Sequence, residues 1–120
     1  MTQSLEDYLE TVLFLSEKGA VRVTDIASRL EVSKPSVLTA LKILEEQGFL
    51  EHSRYRPVVL TQKGKQKADK IRSRHRFITD FLVKIVGVNS RIAEQDACKM
   101  EHVLSPETLK KMQKLMAGKD

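Results

Sequence analysis

The sequence predicts a mainly α-helical fold interrupted once by a short β-hairpin, on three observations. Apolar residues recur at three- and four-residue spacing through most of the chain, the periodicity of helices that bury one face. Gly19, Gly48 and Gly87 stand where those patterns stop. The stretch FLEHSRYRPVVLT departs from the periodicity and reads as two short strands around a turn of Arg54, Tyr55 and Arg56, the second strand running Val58 to Leu60.

At 120 residues the chain can hold one domain with a real core, or one compact domain with a short helical extension. Aromatics make up 5% and Trp is absent, so the core is expected to be aliphatic. No apolar run nears the roughly 18 residues of a membrane span, and no basic start precedes an apolar stretch, so a cytoplasmic protein without a membrane partner is expected. HExxH, a glycine-rich phosphate loop and an activated serine are all missing; neither an enzyme nor a small-molecule substrate is expected. The single cysteine, Cys98, can form no internal disulfide and is a buried thiol, a ligand or a redox handle.

The net charge of +5 is unevenly spread. Residues 1–50 carry five Lys/Arg against eight Asp/Glu, whereas residues 51–76 carry nine against two. Such a dense basic patch suits a polyanion such as DNA, although a solvated helix face has the same composition.

The first helix lies in SLEDYLETVLFLSEKG, with Leu5, Leu9 and Val12 as its stripe and Gly19 after its last turn. Asp7 and Glu10, three residues apart, point roughly one way from that helix; by spacing alone they are equally its solvated face. In VTDIASRLEVSKPSVLTALKILEEQGFL, Thr24 is the expected cap of a short helix carrying Ile26, Ala27 and Leu30. A break at Glu31–Val32 follows, then a helix capped by Ser33 with Pro35 in its first turn, burying Val37, Ala40, Leu41 and Leu44. Helix, tight turn, helix is the helix-turn-helix layout, whose second helix enters the major groove N-terminal end first. Ser33, Lys34, Pro35, Ser36, Thr39 and Lys42 are then the DNA-facing candidates. The hairpin after that helix reads as a wing, and Arg54, Tyr55 and Arg56 at its tip suit phosphates or a narrow minor groove.

One long helix is expected from Thr61 to Val86, ended by Gly87, with Ile71, His75, Ile78, Leu82 and Ile85 on one face. His75 in that stripe is either a satisfied core histidine or a ligand. Two helices follow, the first opened by Asn89 or Ser90, the second capped by Ser105 with Pro106 at its first position. Leu109, Met112 and Met116 give the last one an apolar edge, which packs on its own domain or on a second copy in a homodimer.

The stretch DACKMEHVL places Cys98, Glu101 and His102 at i, i+3 and i+4. On a helix they share a face, so sulfur, oxygen and nitrogen can meet at one point, a mix suited to a transition ion rather than Mg or Ca. Spacing alone also allows an ordinary piece of helix.

Together these segments resemble the diphtheria-toxin-repressor family of metal-dependent transcriptional repressors, close to its manganese-transport-regulator branch. The likeness runs nearly end to end through EDYLE, the winged helix with VVLTQKGK, the RH of the linking helix and DACKMEHVLS. It implies a winged helix-turn-helix DNA-binding domain over residues 1–73 and a helical metal-binding and dimerisation domain over 74–120. It implies ligands at Asp7, Glu10, His75, Cys98, Glu101 and His102. Asp7 stands where the iron-responsive branch has methionine and the manganese branch aspartate, and Glu10 matches a manganese-branch ligand. Cys98 stands where the iron branch has cysteine and the manganese branch glutamate, which makes the set a hybrid. Thr79 and Glu94 replace a glutamate and a histidine of the iron branch's ancillary site, so a complete second site of that type is not expected.

The resemblance therefore implies a homodimeric repressor that binds a double-stranded operator when loaded with Mn(II) or Fe(II) and controls metal-uptake genes. Hard carboxylates favour those ions, whereas the thiolate favours Co(II), Ni(II) or Zn(II), which stay open. An alternative keeps the winged helix and makes Cys98 a thiol redox sensor.

Overall fold

The computed structural model describes residues 1–119. They form two compact units, Met1–Ile71 and the residues from Arg72 onward.

In the first unit, α1 (Gln3–Ser16) is capped by Thr2, whose hydroxyl accepts the Leu5 N–H at 3.2 Å. Its apolar stripe buries Leu9 and Val12 completely. α2 (Val23–Leu30) opens at Arg22 rather than at the expected Thr24. The reason is local: Asp25, at the third helical position, accepts the Arg22 N–H at 3.1 Å and so starts the helix two residues earlier than a Thr24 cap would. Glu31 ends α2 in the left-handed region at φ 55°, giving the tight break between the two helices. α3 (Lys34–Glu46) begins as expected, with Ser33 accepting the Ser36 N–H at 3.2 Å and Pro35 in the first turn. Val37, Ala40, Leu41 and Leu44 are its buried face, and Gly48 turns the chain away at φ 82°.

The wing is shorter than the sequence suggests. β1 (Leu50–Glu51) pairs antiparallel with β2 (Val59–Leu60), Leu50 opposite Leu60 and Glu51 opposite Val59. Val58, expected in the second strand, forms an isolated bridge with Val21, to whose carbonyl its N–H donates at 2.8 Å. Leu9, Ile26, Leu41, Leu44, Leu50 and Ile71 meet in one aliphatic core. Each such side chain contributes about 1.5–3 kcal/mol on burial.

α4 (Gln62–Phe81) contributes Ala68 and Ile71 to that core and Ile78 to a second one. Its start crosses the Phe49 carbonyl so closely that a Cβ on Gly64 would run into the oxygen, which is why glycine sits inside a helix there. The expected helix from Thr61 to Val86 changes character at its end. Leu82–Val86 widens into a π-turn, closed by Gly87 at φ 89° with its N–H on the Leu82 carbonyl at 2.9 Å.

In the second unit α5 (Ser90–Met100) is capped by Asn89, and α6 (Pro106–Lys119) follows Ser105, whose hydroxyl accepts the Thr108 N–H at 3.2 Å. Ala93 and Ala97, one turn apart and fully buried, let α5 pack closely against Ile78 and Leu82. Among the described residues no helix is long and apolar enough to cross a membrane.

Candidate functional site

α5 ends at Met100; Glu101 is its C-terminal cap, still in helical conformation with its N–H on the Ala97 carbonyl at 3.0 Å, and His102 follows in the turn. His75 comes from α4. Its Nδ1 stands 2.9 Å from Glu101 Oε2, and His102 Nε2 stands 3.2 Å from Glu101 Oε1. Glu101 is fully buried and the His102 side chain is 1% exposed.

These distances are not matched by direction. Neither carboxylate oxygen of Glu101 nor Nδ1 of His75 makes an aligned hydrogen bond, although all three atoms are buried. A carboxylate held away from water without directed donors is costly, of order several kcal/mol. Glu101 presents one oxygen to each of two imidazoles, the nitrogen and oxygen donor types that divalent first-row transition ions take. The residues present thus fit a metal ion.

His75 is also held from its other side, where Nε2 is 2.7 Å from Glu94 Oε1. The neighbouring carboxylates, Glu101 foremost and Glu94 after it, raise the His75 pKa from 6.5 to about 9 against the opposing effect of burial. Sequence reasoning treated Glu94 only as a departure from an ancillary site. Its signal was the seven-residue interval to Glu101, two helical turns, which sets the two on one face. Thr79, the other departure, donates its hydroxyl to the His75 carbonyl at 2.9 Å.

The remaining candidates are placed as follows. Cys98 is exposed on α5, and among the described residues it joins no group of ligand-type side chains close enough to share an ion. Asp7 and Glu10 are half-buried on α1, one turn apart.

In the first unit Ser33, Lys34, Pro35, Ser36, Thr39 and Lys42 are all exposed at the N-terminal end and outer face of α3. Their hydroxyls are tied locally: Ser33 and Ser36 share a hydrogen bond at 2.9 Å, and Thr39 donates to the Pro35 carbonyl at 3.0 Å. At the wing tip Tyr55 is 88% exposed with φ 65°, the Arg54 guanidinium lies 5.0 Å from its ring centre, and Arg56 is exposed. An exposed aromatic ring beside the Arg54 guanidinium, with Arg56 next in the chain, can reach into a groove or along a phosphate chain.

Residues 1–58 match the family model described as the N-terminal DNA binding domain of iron dependent repressors, and residues 61–118 match that of their metal binding and dimerisation domain. The chain belongs to the iron-dependent repressor family. This agrees with the winged helix-turn-helix followed by a helical unit. An uncharacterized HTH-type transcriptional regulator of Methanocaldococcus jannaschii is 36% identical to it over 97% of this chain and 94% of that one. The transcriptional regulator MntR of Salmonella typhimurium is 41% identical over 88% of this chain and 67% of its own length. Among solved structures, the manganese regulator SloR superposes with a TM-score of 0.81 at 27% identity, covering 98% of this chain and 55% of that one. ScaR with bound Zn2+ gives 0.82 at 26%, covering 94% and 53%. The chain thus spans about half the length of these solved relatives. The family and these relatives are regulators of transcription rather than enzymes, and nothing in them favours thiol redox sensing at Cys98.

Proposed function

We propose that the chain is a cytoplasmic, homodimeric repressor that binds double-stranded operator DNA in response to Mn(II) or Fe(II) and restrains metal-uptake genes. The observation that carries this reading is the buried Glu101 carboxylate between His75 and His102, its oxygens without aligned donors, in a chain whose other unit is a winged helix.

The proposed division of labour gives residues 1–73 to DNA and residues 74–120 to metal binding and dimerisation. His75 and His102 hold metal with Glu101, each imidazole beside its own carboxylate oxygen; Asp7 and Glu10 join them by their match to the family's ligand positions, and Cys98, which matches a further such position, would have to turn inward from its exposed place to reach the ion. A bound divalent ion would supply the positive charge beside the buried carboxylate in place of the proton that the His75 ring otherwise holds there. The DNA-competent state gains population only to the extent that these ligands hold metal better in that state. Ser33, Lys34, Pro35, Ser36, Thr39 and Lys42 read or border base edges, while Arg54, Tyr55 and Arg56 grip phosphates or the minor groove. Two copies would meet half-sites about one helical turn apart.

The donor set is mostly hard and favours Mn(II) or Fe(II); a Cys98 thiolate would shift it towards Co(II), Ni(II) or Zn(II). The test is anaerobic binding to genomic fragments, including the region upstream of its own gene, in chelator and then in each ion at matched free concentration. Selective binding in the presence of particular ions alone is expected. Equal selective binding in chelator would refute metal activation.

A further inference from the structure

His75 is gripped at both ring nitrogens, and the two grips differ in kind. On one side Nε2 and Glu94 Oε1 form a hydrogen bond of 2.7 Å. A carboxylate only accepts, so Nε2 carries the proton. On the other side Nδ1 stands 2.9 Å from Glu101 Oε2 without a directed hydrogen bond, buried beside a carboxylate that likewise lacks aligned donors. Glu94 itself is 64% exposed. It stands outside the buried donor cluster, and its carboxylate faces the ring edge remote from Glu101.

We propose that Glu94 is a positioning residue for the metal centre: by holding Nε2–H it fixes the ring and its tautomer, so that Nδ1 is the atom His75 offers to the ion. A carboxylate behind a ligating imidazole orients the ring and raises its basicity, and losing such a partner typically weakens metal binding about 10–100-fold. With Glu94 truncated, the imidazole can turn over, and either nitrogen can face Glu101. The glutamine amide still offers an oxygen to Nε2–H, which separates the directional role from the charge. This inference rests on the metal-centre reading of His75, Glu101 and His102.

The experiment uses the full chain with 15N-labelled histidine and Zn(II) as a diamagnetic probe, reading the two His75 nitrogens by long-range 1H–15N correlation and the Zn(II) affinity by chelator competition. Wild type is expected to show Nε2 protonated and Nδ1 bound to zinc. Glu94→Ala should lower the affinity by about tenfold or more and lose the single ring assignment, whereas Glu94→Gln should keep the assignment and stay within about threefold of wild type. Because Glu94 is exposed, both variants should fold, which circular dichroism checks. Zinc on Nε2 in wild type, or unchanged affinity and assignment in Glu94→Ala, overturns the role of Glu94 while leaving the centre intact. If zinc leaves both His75 nitrogens of the wild type unligated, the centre itself is misread and the inference falls with it.

Discussion

His75 and Glu101 stand 2.9 Å apart, nitrogen to oxygen, with no hydrogen bond directed between those atoms. Proximity without direction is what remains when two groups are arranged for a third body. It makes Glu101 the residue whose loss should be felt first.

In Glu101→Ala and Glu101→Gln, metal affinity should fall by at least about 100-fold, beyond the upper end of the effect of an outer partner. Wild type at a hundredfold excess of metal over Kd should gain about 2.7 kcal/mol of stability over the chelator-treated protein. Thermal melts with and without Mn(II) check this: the wild-type shift should be on the order of 10 °C and should fall to about 2 °C or less in both variants. A variant that keeps the shift would remove Glu101 from the site.

The pH dependence follows from the His75 pKa, which folding raises from 6.5 to about 9. The charged ring's contribution to stability is fully present below pH 6.5 and is lost as pH rises through about 9, so the chelator-treated protein should melt progressively lower across that window. A metal ligand must be neutral, so loading at pH 7 should release about one proton from His75, and almost none at about pH 10. Calorimetry in buffers of different ionisation enthalpy counts those protons. A zero count at pH 7 would contradict the charged ring.

On DNA, the wing and the recognition helix should fail differently. Arg54→Ala or Arg56→Ala should weaken binding to all sequences and reduce the slope of log K against log salt by about 0.9 for every phosphate no longer neutralised. Changes at Ser36 or Thr39 should leave that slope nearly intact and relax base preference, by about 1–3 kcal/mol at a base pair whose edge is no longer read. Binding curves at several salt concentrations, on operator and on random DNA, tell the two apart.

Gly64→Ala should destabilise the first unit by about 3 kcal/mol, the upper part of the range for overpacking, because the obstacle is the Phe49 carbonyl in the backbone rather than a yielding side chain. Denaturant unfolding measures it. Gly118→Ala, where an added Cβ meets nothing within 4 Å, is the control and should change little.

Much of the fold was legible because it is written locally. Ser33 with Pro35, Asn89, and Ser105 with Pro106 announce helix starts through their own chemistry, and Val37, Ala40, Leu41 and Leu44 announce a buried face by spacing. Misreadings came where two local signals compete or where the decisive partner is remote. Thr24 is a good cap, but Asp25 acts first on Arg22. Val58 reads as strand, yet its partner is Val21, far off in sequence. The π-turn at Leu82–Val86 has no mark in a periodicity that continues through it. For the candidate site, residue types and spacing were visible in DACKMEHVL, but the burial of Glu101, the exposure of Cys98 and the grip of Glu94 on His75 depend on packing that only folding supplies.

Glu101 caps α5 and His102 follows it in the turn between α5 and α6, where the chain is held by short-range bonds such as Val103 N–H to the Met100 carbonyl at 3.1 Å and Leu104 N–H to the same carbonyl at 3.1 Å. The backbone that carries the donor pair is therefore also the joint from which α6 departs. Anything that freezes the torsions of that joint sets the bearing of the last helix, and with it the aim of Leu109, Met112 and Met116. Chemistry on two side chains becomes a steering angle some fourteen residues long.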